Sequence, residues 1–395
     1  MASLGMLAGC GGGGPADPPT DLAVKAGDGS VTLTWTMKPD VEYWAFYAPA
    51  SSVSATSMAM VPGGKTLLKQ QSPLVIGGLV NGTTYAFTIN GRTNGGPGGP
   101  GAPSVSAVPR LAGATWTVGK ALGSTDLSAI TYGALGGNLF MAVGSGGVIA
   151  SSPDGLAWTV LGNPGSPADL NAVAFGGSSY VALGAGGVIL NSIDGIAWTA
   201  QASPVSSNLY GLAVGVGSYV GVGANGTLIY SSNGTSWSAV ASDTTRDLRA
   251  VVYGGNRYVA VGAGGTLLGS TDGMTWTAAS SGTSLDLKSV AYGTDVSTGS
   301  SRFVAVGASG ALVSSTDGIT WTSYADALPN SVTANSITYG SQFVLVGDAG
   351  IIYTSTTGTQ WQSQSSGTGG KLNAVVRNMY GYSAVGSSGA NLLSL

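Results

Sequence analysis

The apolar residues of this chain come in short β-rich runs broken by glycine. Leu170-Asn171-Ala172-Val173-Ala174-Phe175 is closed by Gly176-Gly177, Tyr180-Val181-Ala182-Leu183 by Gly184 to Gly187, and Val188-Ile189-Leu190 by Asp194-Gly195 ahead of Ile196-Ala197-Trp198-Thr199. Runs of this length and composition, each ended by turn residues, predict four strands in succession. The pattern recurs. Tryptophans stand at 116, 158, 198, 237, 276, 321 and 361, with steps of 42, 40, 39, 39, 45 and 40 residues, which is the period of a four-stranded propeller blade.

Seven first-strand runs follow, around Ala129, Ala172, Gly211, Ala250, Ser289, Ser336 and Ala374. The last unit, residues 372–395, lacks its own Trp strand, whereas Ala114-Thr115-Trp116-Thr117-Val118 is a Trp strand with no unit before it. Together they complete one blade, predicting a ring closed by its two chain ends with no open sheet edge. The long step of 45 has its cause in residues 294–301, a polar insertion into one hairpin.

Before the repeat the pattern changes. Ser30-Val31-Thr32-Leu33-Thr34-Trp35 alternates polar with apolar residues, as a half-buried strand does. With Trp35 and with Tyr85 in the run 76–89, this segment resembles a fibronectin type III domain, in which both residues are structural. The loop 94–101 is glycine and proline with almost no side chains, which suits a spacer better than a reader. The predicted organisation is all-β: a leader and tether over 1–16, a fibronectin type III-like sandwich over 17–110 and a seven-bladed propeller over 111–395.

The segments Asp154-Gly155-x-x-Trp158, Asp194-Gly195-x-x-Trp198, Asp272-Gly273-x-x-Trp276 and Asp317-Gly318-x-x-Trp321, with Asn233-Gly234 and Thr357-Gly358 as variants, resemble Asp-box or BNR-type repeats. With the preceding Val-Ala-Val-Gly runs they resemble the propellers of photosystem II assembly factors. The resemblance implies structural roles, the Asp tying a turn to its own backbone and the Trp packing between blades. Near the start, Leu7-Ala8-Gly9-Cys10 followed by four glycines resembles a bacterial lipobox, implying a lipid on Cys10 and an envelope location. The preceding residues, Met1 to Met6, supply neither the basic start nor the apolar stretch of a secretory signal.

Composition narrows the chemistry. Charged residues make up only 8% of the chain, the net charge is −3 and histidine is absent. Nucleic-acid binding, which needs a basic face, is excluded. So is any Ser-His-Asp arrangement, and a single cysteine leaves no Cys-rich metal site. Neither a metal nor a cofactor is expected. Residues 111–395 contain no glutamate, and their aspartates fall mostly in repeat-equivalent turns, so the facing carboxylate pair of a glycosidase is not in evidence.

Departures from the repeat are the candidate site. After the residue that opens each first strand the series runs Ser128, Asn171, Tyr210, Arg249, Lys288, and Arg257 and Arg302 hold matching places in second strands. With Arg246 these are five of the eight basic residues in 111–395, a cluster suited to a carboxylate, a phosphate or an acidic peptide. Pairing with Asp247 and Asp286 would make it a solvated rim instead. The expected function is non-catalytic binding or scaffolding of a protein partner at a bacterial envelope, touching membrane only through Cys10. Two alternatives stand: a carbohydrate-binding or adhesion module, with Tyr210, Tyr258 and Tyr292 stacking on a polysaccharide, and, less favoured, a sialidase-like hydrolase.

Overall fold

The computed structural model describes residues 13–57, 60–133, 139–162, 167–379 and 381–395. Cys10, the expected lipidation point, lies outside them. The chain divides into two compact units, Met1–Leu111 and Ala112–Leu395. Regular structure among the described residues is β-strand and three-residue 3-10 turns. No helix is long and apolar enough to cross a membrane.

In the first unit a five-stranded sheet (Pro15–Ala16, Glu42–Ala48, Lys65–Gln70, Tyr85–Arg92 and Val105–Ala107) accompanies a three-stranded one (Ala23–Gly27, Ser30–Thr34 and Leu74–Ile76). Alternation along these strands sends Val31, Leu33, Tyr43, Phe87 and Ile89 into one buried cluster with Trp35. Trp35 meets Tyr43 edge-on at 5.9 Å between ring centres. The Tyr85 hydroxyl accepts the Val80 amide at 3.3 Å, pinning the turn that enters its own strand.

The second unit holds seven four-stranded antiparallel sheets among its described residues. Blade 4 shows the plan: inner strand Leu248–Gly254, second strand Arg257–Gly262, third strand Leu267–Ser270 and outer strand Thr277–Ala279. Each inner strand packs on the inner strand of the next blade, and the seventh (Leu372–Arg377) packs on the first (Leu127–Gly133). The seventh sheet takes its outer strand, Thr117–Val118, from the start of the unit, paired to Asn391–Ser394. Second strands such as Tyr258–Gly262 are buried throughout, because their two faces touch the two neighbouring blades. That is why they read as continuous apolar runs rather than as alternation.

Register defines two faces. In blade 4 Leu248 pairs with Gly262 and Gly254 with Arg257, so the start of the inner strand and the end of the second lie at one face, the mouth face. The other ends of both strands lie about 20 Å away, six residues of strand further on. Third strands run back to this second face, and the turns they enter, which carry the Asp-Gly-x-x-Trp segments, give it the name box face.

Candidate functional site

A β-bulge falls at the same place in all seven inner strands, between Leu127 and Ala129 in blade 1 and at its equivalents in the others. The bulged residues are Ser128, Asn171, Tyr210, Arg249, Lys288, Asn335 and Asn373, and together they line the mouth of the central channel, a cavity of about 220 Å³. An extra residue in one strand re-aims a side chain out of the pleat. The residue after each bulge is Ala, Gly or Ser, which lets inner strands crowd; a methyl on Gly211 would meet Ala250 Cα at 2.9 Å.

Asparagine at the bulge is a clasp between blades. Asn171 Nδ2 donates to the Leu209 carbonyl at 2.9 Å, Asn335 Nδ2 to Leu372 at 3.0 Å and Asn373 Nδ2 to Leu127 at 2.8 Å. Blade 1, with Ser128 at the bulge, has no asparagine to make this bond, and blades 3, 4 and 5 replace it with larger side chains. In its place Arg249 lies over the Tyr210 ring, 4.8 Å from the ring centre, and pairs with Asp247 at 2.9 Å. Lys288 donates to Asn335 Oδ1 at 3.0 Å and has no acidic partner in ion-pair contact among the described residues. Burial pulls its pKa below the usual lysine value, and the nearby Lys371 and Arg249 cations add to the effect, against the opposing pull of Asp348.

A second bond type crosses five of the seven junctions. After every second strand comes a 3-10 turn, Ser145–Gly147 in blade 1 and Ala263–Gly265 in blade 4. Its last residue has positive φ and is glycine throughout; a Cβ on Gly265 would run into the Thr283 carbonyl. The middle amide of the turn donates to an acid or amide of the next blade: Gly146 to Asp169 at 2.7 Å, Gly186 to Asn208 at 2.9 Å, Asn225 to Asp247 at 2.9 Å, Gly264 to Asp286 at 2.7 Å, and Ser388 across the closure to Asp126 at 2.8 Å.

The five basic residues grouped from sequence do not form one patch. Arg249 and Lys288 share the channel mouth, and exposed Arg246 lies over Gly264 on the same face. Arg257 and Arg302 start second strands, so they belong to the box face. There Arg257 lies along Gly269 and Gly318, and Arg302, nearly buried, pairs with buried Asp295 at 3.2 Å. Asp295 belongs to the inserted hairpin and also binds Ser297 and Thr298 amides, so this cation fastens the insertion. Matching repeat positions had suggested proximity, but antiparallel strands put one match at each end of the blade. Of the acids expected to neutralise the cluster, Asp247 does pair with Arg249, whereas Asp286 holds a turn amide.

Lys371 is the cation that sequence reasoning missed. It sits at the mouth with Arg249, Asn335 and Asn373, at the position filled by Asp126, Asp169, Asp247 and Asp286 in other blades. Aligning the residue before each inner strand would have exposed the change of sign. The tyrosines also separate: Tyr210 is at the mouth, but Tyr258 is buried with its hydroxyl 2.7 Å from Ser218 Oγ and Tyr292 packs on Phe303 at 4.6 Å, so neither of the last two offers a free stacking face.

The boxes serve their own turns. Asp154 Oδ1 accepts the Leu156 and Ala157 amides at 2.9 and 2.8 Å, Asp194 those of Ile196 and Ala197, Asp272 those of Met274 and Thr275, and Asp317 those of Ile319 and Thr320. Trp158, Trp198, Trp276 and Trp321 pack on Phe140, Tyr180, Tyr258 and Phe303 of their own second strands at 6.2 to 6.4 Å. The seventh box is assembled from the two ends of the second unit, with Ala112 where the other boxes carry an acid or its substitute: the Gly113 amide donates to Ser394 Oγ at 2.7 Å, as Gly155 does to Ser152 Oγ at 2.8 Å.

No protein-family model and no curated protein matches this sequence. Among solved structures, the one described as YCF48 bound to D1 peptide is 19% identical and aligns over 70% of this chain and 94% of its own with a TM-score of 0.57. YCF48 from Cyanidioschyzon merolae is 18% identical over 71% and 98%, TM-score 0.56. Virginiamycin B lyase from Staphylococcus aureus is 12% identical over 71% and 99%, TM-score 0.60. Likeness at these identities, shared by a peptide-bound protein and a lyase, carries fold and not activity: residues 112–395 have the β-propeller fold.

Proposed function

We propose that this chain is a non-catalytic binding protein of a bacterial cell envelope, lipid-anchored at Cys10, with a fibronectin type III-like spacer and a closed seven-bladed ring whose mouth receives a protein partner. The observation that carries the reading is the exchange at the bulge ring. Three consecutive blades replace the clasping asparagine with Tyr210, Arg249 and Lys288, giving up inter-blade bonds of about 1 kcal/mol each and half-burying an ammonium that touches an amide but no carboxylate among the described residues. Burying a charge in that way costs stability. A partner that brings an acidic group recovers the cost. The D1 peptide on one structural neighbour supports a peptide-type ligand, and the box aspartates, bound to their own turns, support a non-catalytic role.

The test uses the full chain and a fluorescein-labelled, capped hexaglutamate. Binding is expected to fall at least tenfold in the Arg249→Asn, Lys288→Asn variant and to weaken with added salt. Equal binding by the variant would sink the reading. Salt-insensitive binding of a neutral dextran instead would move the function to carbohydrate.

A further inference from the structure

The junction between blades 6 and 7 has the turn but not its acid. At five junctions an Asp or Asn oxygen lies 2.7 to 2.9 Å from the middle amide of the turn. In blade 6 the turn is Asp348–Gly350, with Ala349 at φ 54 and ψ 29, close to Asn225 at φ 53 and ψ 36 in blade 3. Ala349 is exposed, and no acceptor reaches its amide among the described residues. The position that would supply one is Lys371, also exposed. The blade 5 turn lacks the acid too, with neutral Thr333 at its position and the junction joined instead by the last amide of the turn, Gly310 N donating to the Val332 carbonyl at 2.7 Å; only at blade 6 does a cation take the place of the acid.

Blade 6 therefore presents an amide shaped to hold a carboxyl oxygen, beside a cation instead of the usual anion. Lys371 lines the mouth with Arg249, where Lys288 also stands, and Ala349 holds the turn position whose amide binds the residue equivalent to Lys371 at five other junctions. Asp348, the acid of this turn, is engaged elsewhere: its Oδ1 accepts Asn335 Nδ2 at 2.8 Å, and Asn335 Oδ1 accepts Lys288 Nζ at 3.0 Å.

We propose that the mouth takes an acidic protein segment, one carboxylate of which fills the vacant place on the Ala349 amide beside Lys371 while Arg249 and Lys288 take another. The inference rests on the binding role assigned to the ring and adds the ligand's chemistry and its second contact. The occupants of the equivalent seats argue for a protein side chain: four are aspartates and one is the neutral Asn208, so the seat accepts a short side-chain carbonyl oxygen and does not demand high charge density. Lys371 then supplies the preference for an acid over an amide.

The experiment follows the Ala349 amide resonance in the isotope-labelled full chain. The probes are capped Gly-Asp-Gly-Asp-Gly, its Asn counterpart and inorganic phosphate. The aspartyl peptide is expected to shift Ala349 downfield and to bind at least fivefold more tightly than the Asn peptide. Lys371→Asp should fill the seat from within, so that Ala349 is already downfield in the free variant and no longer answers the peptide. Lys371→Ala leaves the seat open and weakens binding several-fold. An Ala349 resonance unmoved by the peptide, while residues around Arg249 and Lys288 respond, overturns the seat and leaves the ring reading standing. No response at either place overturns both. Phosphate shifting Ala349 as strongly as the peptide overturns the assignment to a protein segment.

Discussion

The two faces of the propeller handle the same repeat in opposite ways. On the box face each aspartate binds amides two and three residues along its own chain, so a change there is felt within one blade: Asn233 still takes both amides in blade 3, Thr357 takes them at longer distance in blade 6, and the seventh box keeps only the serine contact, with Ala112 at the position of the acid. On the mouth face the clasps and turn contacts cross from one blade to the next. A bond of that kind belongs to a junction. In a ring held at many junctions one can be dropped without unfolding a blade. The mouth is thus where departures that bring in a cation or an aromatic ring collect, at Tyr210, Arg249, Lys288 and Lys371.

The largest effect that would break this contrast is expected on the box face. Asp272→Ala with Asp317→Ala removes a charged acceptor from two backbone amides in each of two blades. Such bonds contribute about 1.5 to 3 kcal/mol when well formed and less when exposed, so the double variant should lose about 2 to 4 kcal/mol by chemical denaturation, nearly additively. Its affinity for acidic peptide should stay within about twofold of the parent. A tenfold loss of binding with stability intact would reverse the roles of the faces.

Much of this was legible in the sequence because box and strand signals are local. Trp158, Trp198, Trp276 and Trp321 mark hairpins whose residues meet within one blade, so spacing alone gave the period, the seven units and the completion of the last sheet by Thr117–Val118. The site was legible only in part. Arg249 and Lys288 stood out as departures, but grouping them with Arg257 and Arg302 treated position in the repeat as position in space, without the reversal of direction between inner and second strands. Lys371 and the turn contacts were hidden for another reason. They link residues 22 or 23 apart, and across the closure 262 apart, so no local run announces them.

A smaller effect of unusual sign sharpens the contrast. Lys288→Asn restores at blade 5 the clasp seen in blades 2, 6 and 7 and removes a half-buried charge, so it should raise unfolding free energy by about 1 kcal/mol while weakening peptide binding. Asn373→Ala is the mirror experiment, a loss of about 1 kcal/mol at the closing junction. If Lys288→Asn is destabilising, the lysine is there for packing and the argument from the ring fails.

The smallest effect is a pH dependence peculiar to the box face. Asp272 and Asp317 are held at about 2, below the ordinary 3.8, chiefly by the amides of Thr275 and Met274 and of Thr320 and Ile319. Because the folded value is the lower one, the unfolded chain takes up the proton first as pH falls. The stabilisation is complete above about pH 4 and drains away between there and about pH 2. Asp317→Asn keeps the acceptor, as Asn233 does in blade 3 by taking the Thr235 and Ser236 amides at 2.9 Å, but has nothing to titrate. Both carboxylates face solvent, which limits the difference to about half a kcal/mol. The variant's stability curve should be shallower than the parent's between pH 4 and 2, whereas Lys288→Asn, whose parent residue stays protonated throughout that range, should run parallel to the parent. Acid limbs that superimpose for Asp317→Asn and the parent would mean that the carboxylate charge contributes nothing to the turn, leaving the box aspartates as neutral acceptors that asparagine could replace in every blade.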